Sequence, residues 1–591
     1  MAKKAVLKKA IEEVSQDGDR GTIFLRRIDI ANFRGIKNLT LSLDETTVLI
    51  GENNTSKTSI LHAIQLCLGR TLRGKGQTFS EYDYHLTDKT SQPVDSDPIE
   101  IRLHFSERKE GEWPEEITQM LADAAQTDTK GLQSVTLRVT SQYDEAINDF
   151  TTNWDFLDLA GNPLVKAKQT RYLIQLQQLA PVFYLAALRD AAQEFRPRSQ
   201  FWGPFVRSVK IDPVLRDELE KSLSELNQKV LDSYDSFEKV KERLKQTSTF
   251  VPLDSKEPVG IEAIPGKVFD MLSRTQVLLA SRTGARLPIG RHGEGTQSLA
   301  VICLFDAFLQ SQLEGSYDKF SRPILALEEP EAHLHPSAIR AVGKMLQELK
   351  GQKLIATHSG DLVSSVPLSS LRRLCRSGGA ITVRQISEGA LSIDEISKLN
   401  YHIRESRGKL IFARCWLFVE GESDWIIYNE CARISGYDLI SEGVFCVEHR
   451  GVGIQGLLKL ADQLGIEWVV AADNDSQGAA DVRHAQTHLG KRLEKRHVHM
   501  LTHGDIETYL CMNGYGSVYE ANISDQKKGS VTATKDTLEY WLQVTKAQPD
   551  KSKPRNALAV IAEIEKKGVK GVPAELRTIL DTALELAREA T

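Results

Sequence analysis

Two short acidic segments stand out for the chemistry they could perform. Glu420-Gly421-Glu-Ser-Asp424 follows the apolar run Leu417-Phe-Val, and Asp473-Asn-Asp475 follows Trp468-Val-Val-Ala-Ala. Hard divalent cations prefer such carboxylate oxygens. Two cations ~3.5–4 Å apart can activate water and stabilise the leaving oxygen when a phosphodiester is cut. Both apolar runs read as strands, and parallel strands would gather Glu420, Asp424, Asp473 and Asp475 at one edge. With a helix starting just after Gly421, Asp424 falls in its first turn beside Glu420. The plainer alternative is two solvated acidic loops.

A second constellation suits a nucleotide. Gly51-Glu-Asn53-Asn54-Thr55-Ser56-Lys57-Thr58-Ser59 follows the phosphate-loop pattern, except that Ser56 replaces the usual second glycine. Backbone amides of such a loop cradle phosphates, Lys57 reaches the β- and γ-phosphates, and Thr58 ligates Mg²⁺. Ser56 could restrict the backbone and slow hydrolysis. Ile324-Leu-Ala-Leu ends in Glu328-Glu329, suited to a magnesium-side acid and a water-activating base. Glu328 is longer than the aspartate usual there. Leu354-Ile-Ala-Thr ends in His358, placed to sense a γ-phosphate. Gly290-Arg-His-Gly293-Glu-Gly295 is a glycine turn before a helix, and its amides could bind the γ-phosphate of a nucleotide held by a second subunit. Each segment has an ordinary reading as a capping turn, an exposed acidic edge or a solvated histidine. Their common order favours the functional one.

These residues need particular elements behind them. Thr47-Val-Leu-Ile is a short strand running into Gly51, and Ser59 to Leu68 carries Ile60, Leu61, Ile64 and Leu68 on one helical face. Residues 98–160 alternate as strands do. Leu215, Leu219, Leu223, Leu226, Val230, Tyr234, Phe237, Val240 and Leu244 recur at spacings of three and four, which predicts a helical hairpin or short coiled coil. Ser397 to Lys409 reads as a connector helix, and the tail from Val572 is helical in composition.

The 591 residues accommodate about two to four domains. With 75 Lys+Arg against 80 Asp+Glu, no global basic excess advertises nucleic acid, so any such contact needs a local basic surface. No apolar run approaches the ~18 residues of a membrane span, so no membrane partner is expected. Seven scattered cysteines without metal-ligand spacing read as reduced thiols of a cytoplasmic protein.

The order of the nucleotide segments resembles the ABC-type ATPase heads of the SMC, RecF and OLD families. The acidic pair resembles a Toprim domain. Their union in one chain resembles the OLD (overcoming lysogenization defect) nucleases, including the Gabija-type and retron-associated ones. Ile30-Ala-Asn-Phe33-Arg34-Gly35 looks like the segment that opens these heads, and Asp83 stands where the OLD group carries an Asp-aromatic-His element.

The resemblance implies an α/β fold: an ABC-type (SMC/RecF-like) head with a helical insertion, then a C-terminal Toprim domain. The expected division is a leader at 1–21, head at 22–180, helical insertion at 181–260 that is either a dimerisation or DNA-contacting arm or an ordinary packed helix, head again at 261–395, and Toprim domain with helical tail at 396–591. Gly504-Asp505-Ile-Glu507 looks like the family's Asp-hydrophobic-Glu segment, making Glu507 a further metal-side carboxylate. Lys551-Ser-Lys553 looks like its late lysine motif; we favour Lys553 as the group that neutralises charge on the cleaved phosphate. Implied cofactors are ATP with one Mg²⁺, and two Mg²⁺ or Mn²⁺ in the Toprim site.

The implied activity is DNA cleavage regulated by ATP, in anti-phage defence. Implied partners are DNA, a homodimer or homotetramer, and a helicase or retron. One rival reading is a Toprim nuclease acting on RNA such as tRNA. Another is a RecF/SMC-like DNA-binding ATPase with an inert Toprim scaffold. A primase would be expected to add a zinc module and a topoisomerase a nucleophilic tyrosine, and neither is identified.

Overall fold

A computed structural model describes residues 21–69, 79–164, 169–186, 211–245, 261–272, 277–280, 284, 286–313, 319–404, 408–549 and 553–590. Residues 1–20 of the expected leader, Lys551 and parts of the expected insertion lie outside the described residues. By internal contacts the chain forms two compact units. One comprises 1–185, 320–329 and 336–591; the other comprises 186–319 and 330–335.

In the first unit, β1 (Leu25–Phe33) and β2 (Ile36–Ser42) form an antiparallel hairpin that closes at the Phe33–Ile36 pair. β3 (Thr46–Gly51) leads to the helix Lys57–Leu68. β4 (Ile99–Ser106), β5 (Gln126–Thr127), β6 (Gln133–Asp144) and β7 (Asp149–Leu157) complete the antiparallel sheet, ordered β2-β1-β4-β6-β5 with β7 beside β6. Strict alternation in β4 buries Ile99, Ile101, Leu103 and Phe105 and leaves Glu100, Arg102 and His104 on the other face. β8 (Val182–Leu185) ends this stretch.

The second unit carries two consecutive helices, Pro213–Asp232 and Asp235–Lys245, over the span expected to be helical. Asp212 caps the first, its carboxylate accepting from the Val214 amide at 2.8 Å, with Pro213 at the first turn. The short strands β9 (Leu278–Ala280) and β10 (Arg286–Pro288) pair antiparallel. The glycine turn then opens the helix Glu294–Leu313.

Back in the first unit, β11 (Ile324–Glu328), β12 (Gln352–Ala356), β13 (Leu371–Ser377) and β14 (Ala380–Arg384) build a second sheet, ordered β14-β13-β3-β12-β11-β8. All its pairings are parallel except that of the edge strand β14. β8 therefore belongs to the head sheet, although it falls inside the span expected as insertion. Its run Val-Phe-Tyr-Leu pairs with β11, a long-range choice that local helix periodicity does not reveal. The core joins both sheets through Ile28, Ile30, Leu49, Ile60, Leu61, Ile64, Ala326 and Leu354.

The Toprim part has four parallel strands: β15 (Cys415–Val419), β16 (Val444–Glu448), β17 (Glu467–Ala472) and β18 (Val498–Met500), ordered β16-β15-β17-β18. β15 is buried throughout, as a central parallel strand must be. The C-terminal helix Ala574–Glu589 is more than a tail. Leu576, Ile579, Leu580, Ala583, Leu584 and Ala587 make a buried stripe that packs into the core with β15 and the helix Glu422–Ile434. Among the described residues no helix is long and apolar enough to cross a membrane.

Candidate functional sites

The first site forms where β3, β11 and β12 end. Asn53 to Ser59, Arg34, Gly35, Glu328, Glu329 and His358 line one cavity of about 440 Å³. The structure thus brings the loop, both glutamates and the histidine together. The loop backbone is bent by two residues with positive φ, Asn54 at 65° and Ser56 at 63°. A glycine would take the second conformation without strain, so Ser56 carries a cost of about 1–2 kcal/mol. Gly35 makes room for it, because a Cβ at position 35 would lie 2.8 Å from Ser56 Oγ.

Lys57 opens the helix and is buried, its ammonium donating to the carbonyls of Gly51 at 2.9 Å and Glu52 at 2.7 Å. Burial pushes its pKa down to about 8, against the pull of Glu329 and Glu52. Burial, then the nearby Lys57 charge, also lower the His358 pKa. Thr58 Oγ1 donates to Glu328 Oε1 at 2.5 Å, so hydroxyl and acid stand together as a magnesium pair should. The donor set fits a Mg²⁺–nucleotide: amides, a cation, a hydroxyl and a carboxylate. Gly293 and Gly295 fall in the second unit. There Gln297 Nε2 donates to the His292 carbonyl at 2.6 Å, and Glu294 pairs with His333 at 2.9 Å.

Three residues near this cavity received no site role from sequence. Arg34 Nε donates to Asp83 Oδ1 at 2.8 Å, and its NH1 meets His62 Nδ1 at 2.9 Å. His62 Nε2 meets the Tyr184 hydroxyl at 2.8 Å, and that hydroxyl donates to Glu328 Oε2 at 2.5 Å. Asp83 is buried and accepts from both the amide and hydroxyl of Ser80. It therefore reaches the nucleotide surroundings through Arg34. The i, i+4 spacing of Thr58 and His62 was the signal available in sequence.

The second site lies at the C-terminal edge of β15 and β17. Glu420, Asp424, Asp473, Glu507, Arg450 and Lys553 line a cavity of about 150 Å³. The Gly421 amide donates to Asp424 Oδ2 at 3.3 Å, which sets the acid in the first turn of Glu422–Ile434. Burial raises the Asp424 pKa, with Glu507 and Glu420 adding repulsion; burial and the neighbouring Asp424 and Glu420 raise that of Asp473. Glu507 is raised as well, by burial and then Asp505. Lys553 Nζ stands 3.3 Å from Glu507 Oε1. The acids Glu420, Asp424, Asp473 and Glu507 outnumber Lys553 and Arg450, the two cations that line the cavity with them, and such a carboxylate-rich donor set is one hard cations fit.

Asp475 is held differently. It is exposed, and its Oδ1 accepts from the Gly478 amide at 2.8 Å as the cap of Ser476–Thr487. It does not line the cavity. Gly478 permits this tight turn, because a Cβ there would sit 1.9 Å from the Asp473 carbonyl. Arg450, exposed on the loop after β16, was missed because a lone arginine beside glycine carries no pattern.

The phosphate-loop region also contacts the start of β15, at the end of that strand away from Glu420. Glu52 of the loop pairs with Arg414, the residue before β15. Arg373 of β13 is buried and donates to the carbonyls of Ala413 at 2.7 Å and of Leu464 and Gly465 at 2.8 Å each.

Family models match both parts of the chain. The family model described as "Protein of unknown function (DUF2813)" matches residues 23–409. That described as "Overcoming lysogenization defect protein-like, TOPRIM domain" matches 411–475. The chain is 29% identical over 581 residues to YbjD of Escherichia coli K12, covering 96% of this chain and 99% of that one. It is 26% identical over 471 residues to the OLD nuclease of Thermus scotoductus, covering 76% and 82%. It is 22% identical over 464 residues to the endonuclease GajA of Bacillus cereus, covering 76% and 74%.

Proposed function

The chain belongs to the DUF2813 family, and we propose that it is a metal-dependent DNA endonuclease whose Toprim site is governed by ATP in the head. The observation that carries this reading is the cavity in which Glu420, Asp424, Asp473, Glu507 and Lys553 converge. The names of the OLD nuclease and endonuclease relatives support it. Divalent cations held there would supply the Lewis acidity that activates water and shields the leaving oxygen.

The protein's own groups do the rest. Asp424, Asp473 and Glu507 would hold the cations, while Asp475, engaged as a helix cap outside the cavity lining, is not assigned to them. Glu420 takes the proton of the attacking water. Lys553 holds Glu507 and offsets charge on the cleaved phosphate. In the head, the loop Gly51–Ser59 binds ATP, Glu328 and Thr58 hold its Mg²⁺, Glu329 orients water and His358 reads the γ-phosphate. Gly293 and Gly295 act on the nucleotide of a second copy, making a homodimer or homotetramer the working form. The Glu52–Arg414 pair and the Arg373 bonds support passage of the nucleotide state to β15 and Glu420. We place the activity in defence against phage, alone or beside a helicase or retron.

The test incubates the protein with supercoiled plasmid and Mg²⁺ or Mn²⁺, with and without ATP. Cleavage is expected, reduced about 10²–10⁴-fold in Glu420→Ala. No cleavage of plasmid in any arm, with cleavage of tRNA in a parallel arm, would replace DNA by RNA. Inertness toward both would leave a DNA-binding ATPase.

A further inference from the structure

We propose that Tyr184, backed by His62 and Arg34, is the positioning residue that holds Glu328 on the metal side of the nucleotide site. This rests on the reading of the head as an ATP site. Both oxygens of Glu328 are engaged, Oε1 by Thr58 and Oε2 by Tyr184, each at 2.5 Å. The geometry follows from two periodicities. Tyr184 pairs with Ala326 across β8 and β11, and Glu328 is two residues further on the same face. Thr58 and His62 are four residues apart on one helix, so they share a face as well. The helix thus meets the sheet in two adjacent contacts, Thr58 on Glu328 and His62 on Tyr184.

The chemistry gives the chain of bonds one direction. Arginine only donates, so the His62 Nδ1 that faces Arg34 must be the accepting nitrogen. The neutral ring then carries its proton on Nε2 and donates it to the Tyr184 oxygen. Tyr184 has one proton left to give, and it goes to Glu328. Asp83 anchors the far end by holding Arg34. A glutamate has one more rotatable bond than the aspartate usual at this position, and an unheld carboxylate would sample several rotamers. Tyr184 removes that freedom before a metal arrives, as outer-shell partners of metal ligands do.

The experiment titrates Mg²⁺ while following binding of a fluorescent ATP analogue to the full chain. Tyr184→Phe keeps the ring and removes only the hydroxyl. It should raise the Mg²⁺ concentration for half-maximal binding about tenfold, with binding in EDTA unchanged. His62→Leu should shift it in the same direction. His62→Gln, whose amide can still donate to Tyr184, should stay near wild type. This pair decides the matter if Tyr184→Phe folds poorly by thermal melting. A wild-type Mg²⁺ requirement in both Tyr184→Phe and His62→Leu overturns the inference. A wild-type chain that binds no ATP overturns the head reading, and the inference with it.

Discussion

In the nucleotide cavity the carboxylate of Glu328 meets two hydroxyl donors, and the buried Lys57 stands in the same cavity. In the Toprim cavity Glu420, Asp424, Asp473 and Glu507 share the lining with two cations, Lys553 and Arg450, and burial with repulsion from neighbouring acids raises the pKa values of Asp424, Asp473 and Glu507. Both sites sit where parallel strands end and a helix begins. They differ in how charge is met: by protein donors in the head, and by too few of them in the Toprim part. A site whose acid is already held is pre-organised for its ligand. A site whose acids crowd together is completed by a cation, and its stability should report that cation.

The comparison breaks most directly at Lys57. Lys57→Ala removes the buried lysine of the head cavity and should lower ATP affinity by about 10²-fold or more, since a lost charge-assisted contact to phosphate is worth ~3 kcal/mol. Unchanged nucleotide affinity in equilibrium binding would sink the head assignment. Cleavage measured without ATP should stay at the wild-type level, which separates the two sites.

A smaller effect sharpens the contrast in charge. The folded-state pKa values of Asp424, Asp473 and Glu507 lie above their unfolded values. Their protonated forms are therefore favoured by folding, and that stability is lost as pH rises from about 4 through the raised values. Without metal, the melting temperature should fall over this range. Added Mg²⁺ should restore more of it at pH 8 than at pH 5. Asp473→Asn should raise the metal-free melting temperature at pH 8 and shrink the Mg²⁺ response. Calorimetry showing equal responses at both pH values would contradict the crowding argument.

The pair between Glu52 and Arg414 gives a few-fold effect. Glu52→Gln weakens the pair with Arg414 and leaves the loop backbone intact. Cleavage without ATP should be unchanged, while the ratio of rates with and without ATP should move toward one. An unaltered ratio would assign coupling to the Arg373 bonds alone.

The smallest expected change is Ser56→Gly. It relieves the left-handed strain but adds freedom to the unfolded chain, for a net gain of roughly 0.5–1 kcal/mol in denaturant unfolding. A loss of stability would show that the Ser56 hydroxyl makes a compensating bond.

Much of each site was legible because phosphate loops and strand-end acids are local devices. Gly51 to Ser59 declares its strand, turn and helix within a few residues. Glu420 and Asp424 are similarly bound by one turn of helix. Asp475 shows where this stops: Asp-x-Asp spacing is equally that of a metal pair and of a ligand followed by a helix cap, and the Gly478 amide has taken Oδ1. β8 was hidden for a related reason, since four apolar residues after Pro181 fit either a strand or the start of a helix.

By itself the sequence determined the short-range features: which loop has the phosphate-loop pattern, which strand ends carry acids, and which helical faces are apolar. These follow from backbone periods of 2 and 3.6 residues acting over one or two turns. Only the tertiary structure decided which distant groups complete them. It set Tyr184 against Glu328, Arg34 against His62, Lys553 against Glu507 and Glu52 beside Arg414. The physical reason is that strand order and register, fixed by burial of the whole core, bring together side chains whose separation along the chain carries no signal of contact.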